Sequence, residues 1–94
     1  MELTVADNAD RRRYEARLGS KVVGFIMYRL EPGRMTLIHT EVDEALEGEG
    51  VGSQLVAGAL DDIRARGLAV VPICPFISAY IRRHPGYSDL VAST

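Results

Sequence analysis

Arg13, Glu15 and Arg17 alternate with Tyr14, Ala16 and Leu18, a period of two that predicts a strand with one face in water. Leu3 to Ala6 forms a short apolar run ahead of it, with Asp7-Asn8-Ala9-Asp10 as the turn between them. Gly19-Ser20 supplies the backbone freedom of a tight hairpin, and Lys21 to Leu30, rich in Val, Ile, Phe and Tyr, predicts a long second partner. Pro32 presets φ and Gly33 tolerates a positive one, which predicts a type II turn into a strand from Met35 to Val42. From Gly52 the period changes. Val51, Leu55, Ala59 and Ile63 fall four apart with Val56 and Leu60 beside them, while Ser53, Gln54, Asp61 and Arg64 take the other side, the signature of an amphipathic helix. Gly67 is placed to end it. Leu68 to Ile73 then predicts a strand parallel to Met35–Val42 across a helical crossover, and its lack of alternation predicts burial on both faces. Pro75 suits the first turn of a second helix reaching about Arg83, stopped by His84-Pro85, with Gly86 to Thr94 as a tail packed by Tyr87, Leu90 and Val91. The expected fold class is α/β of the α+β type: an antiparallel meander, a helix, a parallel strand in the same mixed sheet, and a second helix.

Composition narrows the function classes. The 94 residues suffice for one small domain, expected to span 1–94, and 47% hydrophobic with 26% charged residues is ordinary for a globular chain. A net charge of -2 argues against nucleic acid, and the basic clusters Arg11-Arg12-Arg13 and Arg82-Arg83 lack the interleaved aromatics of a base-stacking surface. The most apolar stretch, Leu68 to Ile81, is broken by Pro72 and Pro75 and is too short to cross a bilayer, so no membrane partner is expected. Cys74 is the sole cysteine, which excludes an internal disulfide framework; with no secretory signal at the start, the expected location is cytoplasmic. No metal site is expected. Oligomeric state is not legible.

The candidate chemistry lies in Leu46-Glu47-Gly48-Glu49-Gly50-Val51-Gly52-Ser53-Gln54-Leu55, a glycine-rich loop between a strand end and a helix start, where backbone N–H groups and the helix dipole favour an anion. A nucleoside triphosphate loop would need Gly-Lys-Ser/Thr, and Gly52-Ser53-Gln54 has no lysine. The dinucleotide pattern matches at Gly48 and Gly50 but meets Ser53 at its third glycine, with no acidic residue ending the next strand. A pattern of the form Q/R-x-x-G-x-G/A remains, filled by Glu47-Gly48-Glu49-Gly50-Val51-Gly52; the bland alternative is a tight turn and helix start.

With His39-Thr40-Glu41-Val42 before this loop, and Val71-Pro72-Ile73-Cys74-Pro75-Phe76 and Tyr80-Ile81-Arg82-Arg83-His84-Pro85 after it, the chain resembles the GNAT-type N-acetyltransferases, specifically their very small single-domain subgroup. It departs from the larger family in carrying Glu47 where Gln or Arg is usual, and in lacking two helices between Leu18 and Lys21 that form much of the acceptor side. The resemblance implies acetyl-CoA as cofactor and transfer of its acetyl group to an amine of unknown identity. It implies that the loop, Glu49, Gly50, Val51, Gly52 and Ser53, holds the phosphates through main chain, with Gly50 and Gly52 permitting close approach and the glutamate side chains turned away. Repulsion from those glutamates, on the order of 1 kcal/mol at a Debye length of about 8 Å, predicts modest affinity.

The transfer needs an oxyanion donor and a base. If the strand of Met35 to Val42 and the strand of Ala69 to Ile73 splay apart, the pantetheine arm fits the gap, paired to main-chain groups of Glu41 and Val42, and the resemblance places the Val42 N–H at the thioester oxygen. Strand alternation sets Leu37, His39 and Glu41 on one face. His39 is a candidate base or an orienter of Cys74, against the alternative of a half-buried histidine bonded to backbone; Glu41 is a weaker base candidate. Tyr80 occupies the place where the wider family often has a tyrosine near the leaving thiolate, against packing with Phe76. Cys74 either carries the acetyl group covalently or is a small inert hydrophobe, and direct attack by the amine is preferred. Two other readings stay open: a module that binds or senses coenzyme A without catalysis, and an interaction domain that meets no nucleotide.

Overall fold

The computed structural model describes residues 2–93, so Thr94 of the expected tail and Met1 lie outside the described residues. Five strands form one sheet in the order β1-β2-β3-β4-β5: β1 (Thr4–Asn8), β2 (Arg13–Leu18), β3 (Lys21–Glu31), β4 (Arg34–Val42) and β5 (Ala69–Pro72). The first four are antiparallel neighbours and β5 joins β4 in parallel through helix α1 (Val51–Ala65). Helix α2 (Pro75–Arg83) follows β5 with Pro75 at its start.

The turns follow their residue chemistry. Gly19 at φ 60 and Gly33 at φ 79 close the two hairpins, and Gly67 at φ 70 lies just past α1, where the Leu68 N–H reaches back to the Ile63 carbonyl at 3.2 Å. The first turn departs from expectation: β1 continues through Asp7 and Asn8, which pair with Tyr14 and Arg13, and the reversal is a 3-10 turn at Ala9–Arg11 with Arg12 left-handed at φ 55. Tertiary bonds extend the strand: the Tyr28 hydroxyl donates to Asp7 at 2.6 Å, and Arg66, at the end of α1, donates to the same carboxylate at 2.6 Å.

The core lies between the sheet and one helix layer. Tyr14, Ala16, Ile26, Tyr28, Met35 and Leu37 from the sheet meet Val51, Leu55, Val56, Ala59, Leu60 and Ile63 from α1, with Ile77 and Ile81 from α2 beside them. Both helices sit on the same face. Phe76 of α2 abuts Gly52 of α1, and the segment after α2 is fastened to α1 by Arg64–Asp89 at 2.9 Å and Tyr87–Asp61 at 2.8 Å. The opposite face carries no helix among the described residues.

β5 corrects a second expectation. Only Val70 is fully buried; Ala69, Val71 and Pro72 are half-buried and Ile73 is exposed, because β5 lies at the sheet edge beneath a single helix layer. The tail closes that edge: Leu90 is buried, Val91 bridges Val70, and the Ala92 N–H bonds the Val70 carbonyl at 2.8 Å.

Candidate active site

Ile38 interrupts the β3–β4 register. Met27 opposes His39 and Tyr28 opposes Leu37, leaving Ile38 as the extra residue of a bulge. One extra residue shifts the period of two, so Leu37 points into the core while His39 and Glu41 point to the bare face. The common face expected for Leu37, His39 and Glu41 is therefore corrected. Thr40 and Val42 turn toward the helices instead.

β4 and β5 pair from Arg34↔Ala69 to Leu37↔Pro72 and then separate. The N–H groups of Ile73 and Cys74 both bond the Leu37 carbonyl at 3.1 Å, which ends the ladder, and β4 runs on alone on that side from Ile38 to Val42. Which of its main-chain groups are free follows from parity. The Asp43 N–H bonds the Val23 carbonyl at 2.8 Å, so in this antiparallel ladder Glu41 and His39 share their bonds with β3, while Thr40 and Val42 direct N–H and C=O toward the open side. Glu41 thus has no main-chain group in the gap, and Thr40 takes the place expected for it.

The open edge runs into the glycine loop. Gly48 at φ 86 and Gly50 at φ 79 are left-handed, a conformation costly for any residue with a Cβ. Gly50 caps α1 without a side-chain bond and its carbonyl accepts the first helical bond, from Gln54 at 3.1 Å. The amides of Val51, Gly52 and Ser53 are consequently without intrahelical partners. The Glu49 N–H, by contrast, is taken by the Leu46 carbonyl at 3.1 Å and its exposed side chain lies off the cleft, which removes Glu49 from the expected phosphate contacts. Gly52 also has a different reason to be glycine. Its φ is ordinary, but a Cβ there would stand 2.9 Å from the ring of Phe76, so the missing side chain makes room for packing rather than for a ligand. Thr40, Val42, Leu46, Glu47, Phe76 and the first residues of α1 enclose a cleft of about 540 Å³.

The reacting side chains are placed as follows. Cys74 is buried at the start of α2, with its Sγ 3.4 Å from Thr40 Oγ1. His39 is the neighbour of Thr40 on a strand and points to the other face, where its Nε2 lies 3.1 Å from Glu41 Oε1. The structure does not bring His39 and Cys74 together. Tyr80 does not line the cleft: its ring stacks on His84 at 4.0 Å and lies 6.1 Å from Tyr87, so the position expected near the thiolate is a packing position here, and Phe76, one turn earlier, lines the cleft. Thr40, Leu46 and Phe76 are the lining residues that sequence reasoning assigned no such role; no local signal marks them, since the bulge and the Gly52 contact that place them are tertiary.

The bare face is organised by Glu15, which is 2% exposed although no helix covers it. Arg13 at 2.7 Å, Arg17 at 2.6 Å and Asn8 at 3.2 Å fold over it, and Arg13 also lies 4.6 Å above the Phe25 ring. Burial alone would raise the carboxyl pKa, but the hydrogen bonds from Arg17, Arg13 and Asn8 outweigh it and hold it at about 2. A second hollow, of about 340 Å³, opens on this face between Arg13, Phe25, Glu41, Val42 and Asp43. Among the described residues no group of three His, Cys, Asp or Glu side chains is arranged as metal ligands, and no helix is long and apolar enough to cross a membrane.

A family model described as GCN5-related N-acetyl-transferase matches residues 13–90. No curated protein sequence matches the chain significantly. Among solved structures, the solution structure of a GCN5-like protein from Staphylococcus aureus aligns at TM-score 0.72 and 20% identity over 98% of this chain and 90% of that one. The ribosomal-protein-S18-alanine N-acetyltransferase of Escherichia coli aligns at TM-score 0.62 and 20% identity over 80% of this chain. Ard1 of Thermoplasma volcanium aligns at TM-score 0.58 and 23% identity over 77%. The chain spans about half the length of these last two, 52% and 53%. At these identities the likeness is one of fold.

Proposed function

Because the chain belongs to the GCN5-related N-acetyltransferase family, we propose that it moves an acetyl group from acetyl-CoA to an amine. One observation carries the reading: the unpaired edge of β4 and the uncapped start of α1 open into the same cleft. Amides of Val51, Gly52 and Ser53 would hold the pyrophosphate, and the open main-chain groups of Thr40 and Val42 would pair with the pantetheine arm as a neighbouring strand would. The cleft fits such a ligand in backbone donors; its one charged lining side chain is Glu47, which limits the affinity.

The Val42 N–H is the oxyanion donor in this reading and His39 the base. Glu41 sets the tautomer: a carboxylate only accepts, so Nε2 carries the proton toward Glu41 and Nδ1 keeps the lone pair. The amine nitrogen bonds the thioester carbonyl carbon, the carbon–sulfur bond breaks with its electron pair leaving on sulfur, and the surplus proton of the amine passes to His39 Nδ1. The thiolate takes a proton from solvent. Direct attack is favoured because Cys74 has Thr40, and not His39, as its side-chain partner. A cytoplasmic setting suits this cosubstrate and the single free thiol.

Thermal denaturation with CoA and with acetyl-CoA tests the binding step, since a ligand held only by the folded chain raises the midpoint. Gly50→Val, which forces a β-branched residue to φ 79, should abolish that rise in a chain that still folds. No rise with either ligand in the wild type would end this reading.

A further inference from the structure

Among the described residues, Val42 alone borders both the cleft on the helix face and the hollow on the bare face. The two cavities thus lie on opposite faces of the sheet at Val42, the residue whose N–H the reading above, on which this inference rests, puts at the thioester. We propose that the 340 Å³ hollow is the acceptor site and that it takes a small primary amine bound as its ammonium ion, with an aromatic or aliphatic body.

The chemistry of the walls selects that class. Val22, Val23 and Phe25 give the hollow an apolar floor, and its charged walls are Arg13, Glu41 and Asp43. The charge of Arg13 is already engaged by Glu15 at 2.7 Å, and Lys21 lies 3.6 Å from Asp43. Among the described residues Glu41 has no side-chain partner besides His39, and its Oε2 has no bond. An ammonium group entering the hollow therefore finds one carboxylate oxygen free and the other tied to His39; it gives one proton to solvent before attack, and its surplus proton after attack passes to His39 Nδ1 as above. An anionic acceptor would meet that carboxylate unfavourably, and a neutral one would leave it without a partner. The volume lies within the range of about 300–1,000 Å³ usual for small-molecule sites.

The test uses the full chain labelled with ¹⁵N and three probes of one shape: 2-phenylethylamine, 2-phenylethanol and 3-phenylpropionate. The amine should shift the amide signals of Phe25, Glu41, Val42 and Asp43, and the alcohol and the acid should not. Glu41→Gln, at a side chain 61% exposed and so safe for folding, should weaken the amine about tenfold. Equal binding of the alcohol, signals shifted elsewhere, or unchanged affinity in Glu41→Gln each overturns the proposal. Acetyl-CoA melts run on the same sample separate the two readings. If acetyl-CoA stabilises the chain while the amine misses the hollow, the acceptor site falls alone; if the amine finds the hollow and acetyl-CoA fails to stabilise, the transfer reading falls and the amine site stands.

Discussion

Gly52→Ala sets two effects of the cleft against each other. In a helix the added methyl is favourable by about 0.5–1 kcal/mol, because alanine loses less backbone freedom than glycine. The new Cβ would stand 2.9 Å from Phe76 Cζ and 3.3 Å from Cε2, with Val42 Cγ2 at an acceptable 3.7 Å. Carbon atoms settle at about 3.5–4.0 Å, so the ring must move by roughly 0.6–1 Å. That movement is cheap: Phe76 is 43% exposed and the clash is at the far end of its side chain, so the lost packing is about 1 kcal/mol at most. The terms nearly cancel, and the midpoint of thermal unfolding should move by less than about 8 °C. Binding should not be spared. The displaced ring lines the cleft, and acetyl-CoA affinity should fall at least about fivefold, read by titration calorimetry on a variant whose melt is near normal. Wild-type affinity in Gly52→Ala would refute the placement of the ligand against Phe76, and destabilisation above about 2 kcal/mol would show that the ring cannot yield.

Gly58→Ala should behave in the opposite way: its Cβ would lie 2.8 Å from both Cβ and Cγ1 of Val5, a stiff β-branched side chain, so α1 must lift from β1 at a cost of about 1–3 kcal/mol in urea unfolding, recovered only in part in the double variant with Val5→Ala, which removes Cγ1 but keeps the Cβ. The Glu15 carboxyl, held at about 2 against 4.5 in the unfolded chain, contributes stability that is present above pH 4.5 and lost as pH falls toward 2; the contribution is about 3 kcal/mol, and Glu15→Gln should flatten that part of the stability curve measured between pH 7 and 2. Intact mass spectrometry after incubation with acetyl-CoA should find no stoichiometric acetyl group on Cys74, and Cys74→Ala should keep near-normal transfer while His39→Ala loses about a hundredfold or more; a dischargeable adduct on Cys74 would reverse the preference for direct attack.

What the sequence disclosed depended on how local the cause was. Pro75, Gly67, Pro32-Gly33 and the four-residue spacing of Val51, Leu55, Ala59 and Ile63 act through their own backbone, and the elements they announce stand within a residue or two of expectation. The mixed sheet followed, since a strand, helix and strand in series have few other ways to close. The misplaced features have distant causes. β1 is longer because Tyr28 and Arg66 hold Asp7, residues that no pattern around Thr4 announces. The missing side chain of Gly52 was credited to close approach of a ligand because the ring it makes room for, Phe76, is remote in sequence. In the site, the glycine loop was legible as a helix start with free amides, but a period of two carried through Ile38 put His39 on the wrong side of the sheet. Nothing in Thr36-Leu37-Ile38-His39 distinguishes a regular strand from a bulged one, because a bulge is a property of the pairing with Met27 and Tyr28.

That bulge makes chain length a functional variable. Removing Ile38 would close the bulge and leave both sides of the strand as they are, because Leu37 and His39 already oppose the consecutive residues Tyr28 and Met27, whereas removing one paired residue between Leu37 and Val42 would shift the register of the residues on one side of it by one and exchange their faces. A substitution at Ile38, 42% exposed, changes only what is displayed there. Loss of Ile38 should therefore spare the placement of His39, Thr40, Glu41 and Val42, loss of a paired neighbour should not, and any alignment with an unbulged strand that opens no gap at Ile38 will match residues whose side chains lie on opposite faces of the sheet.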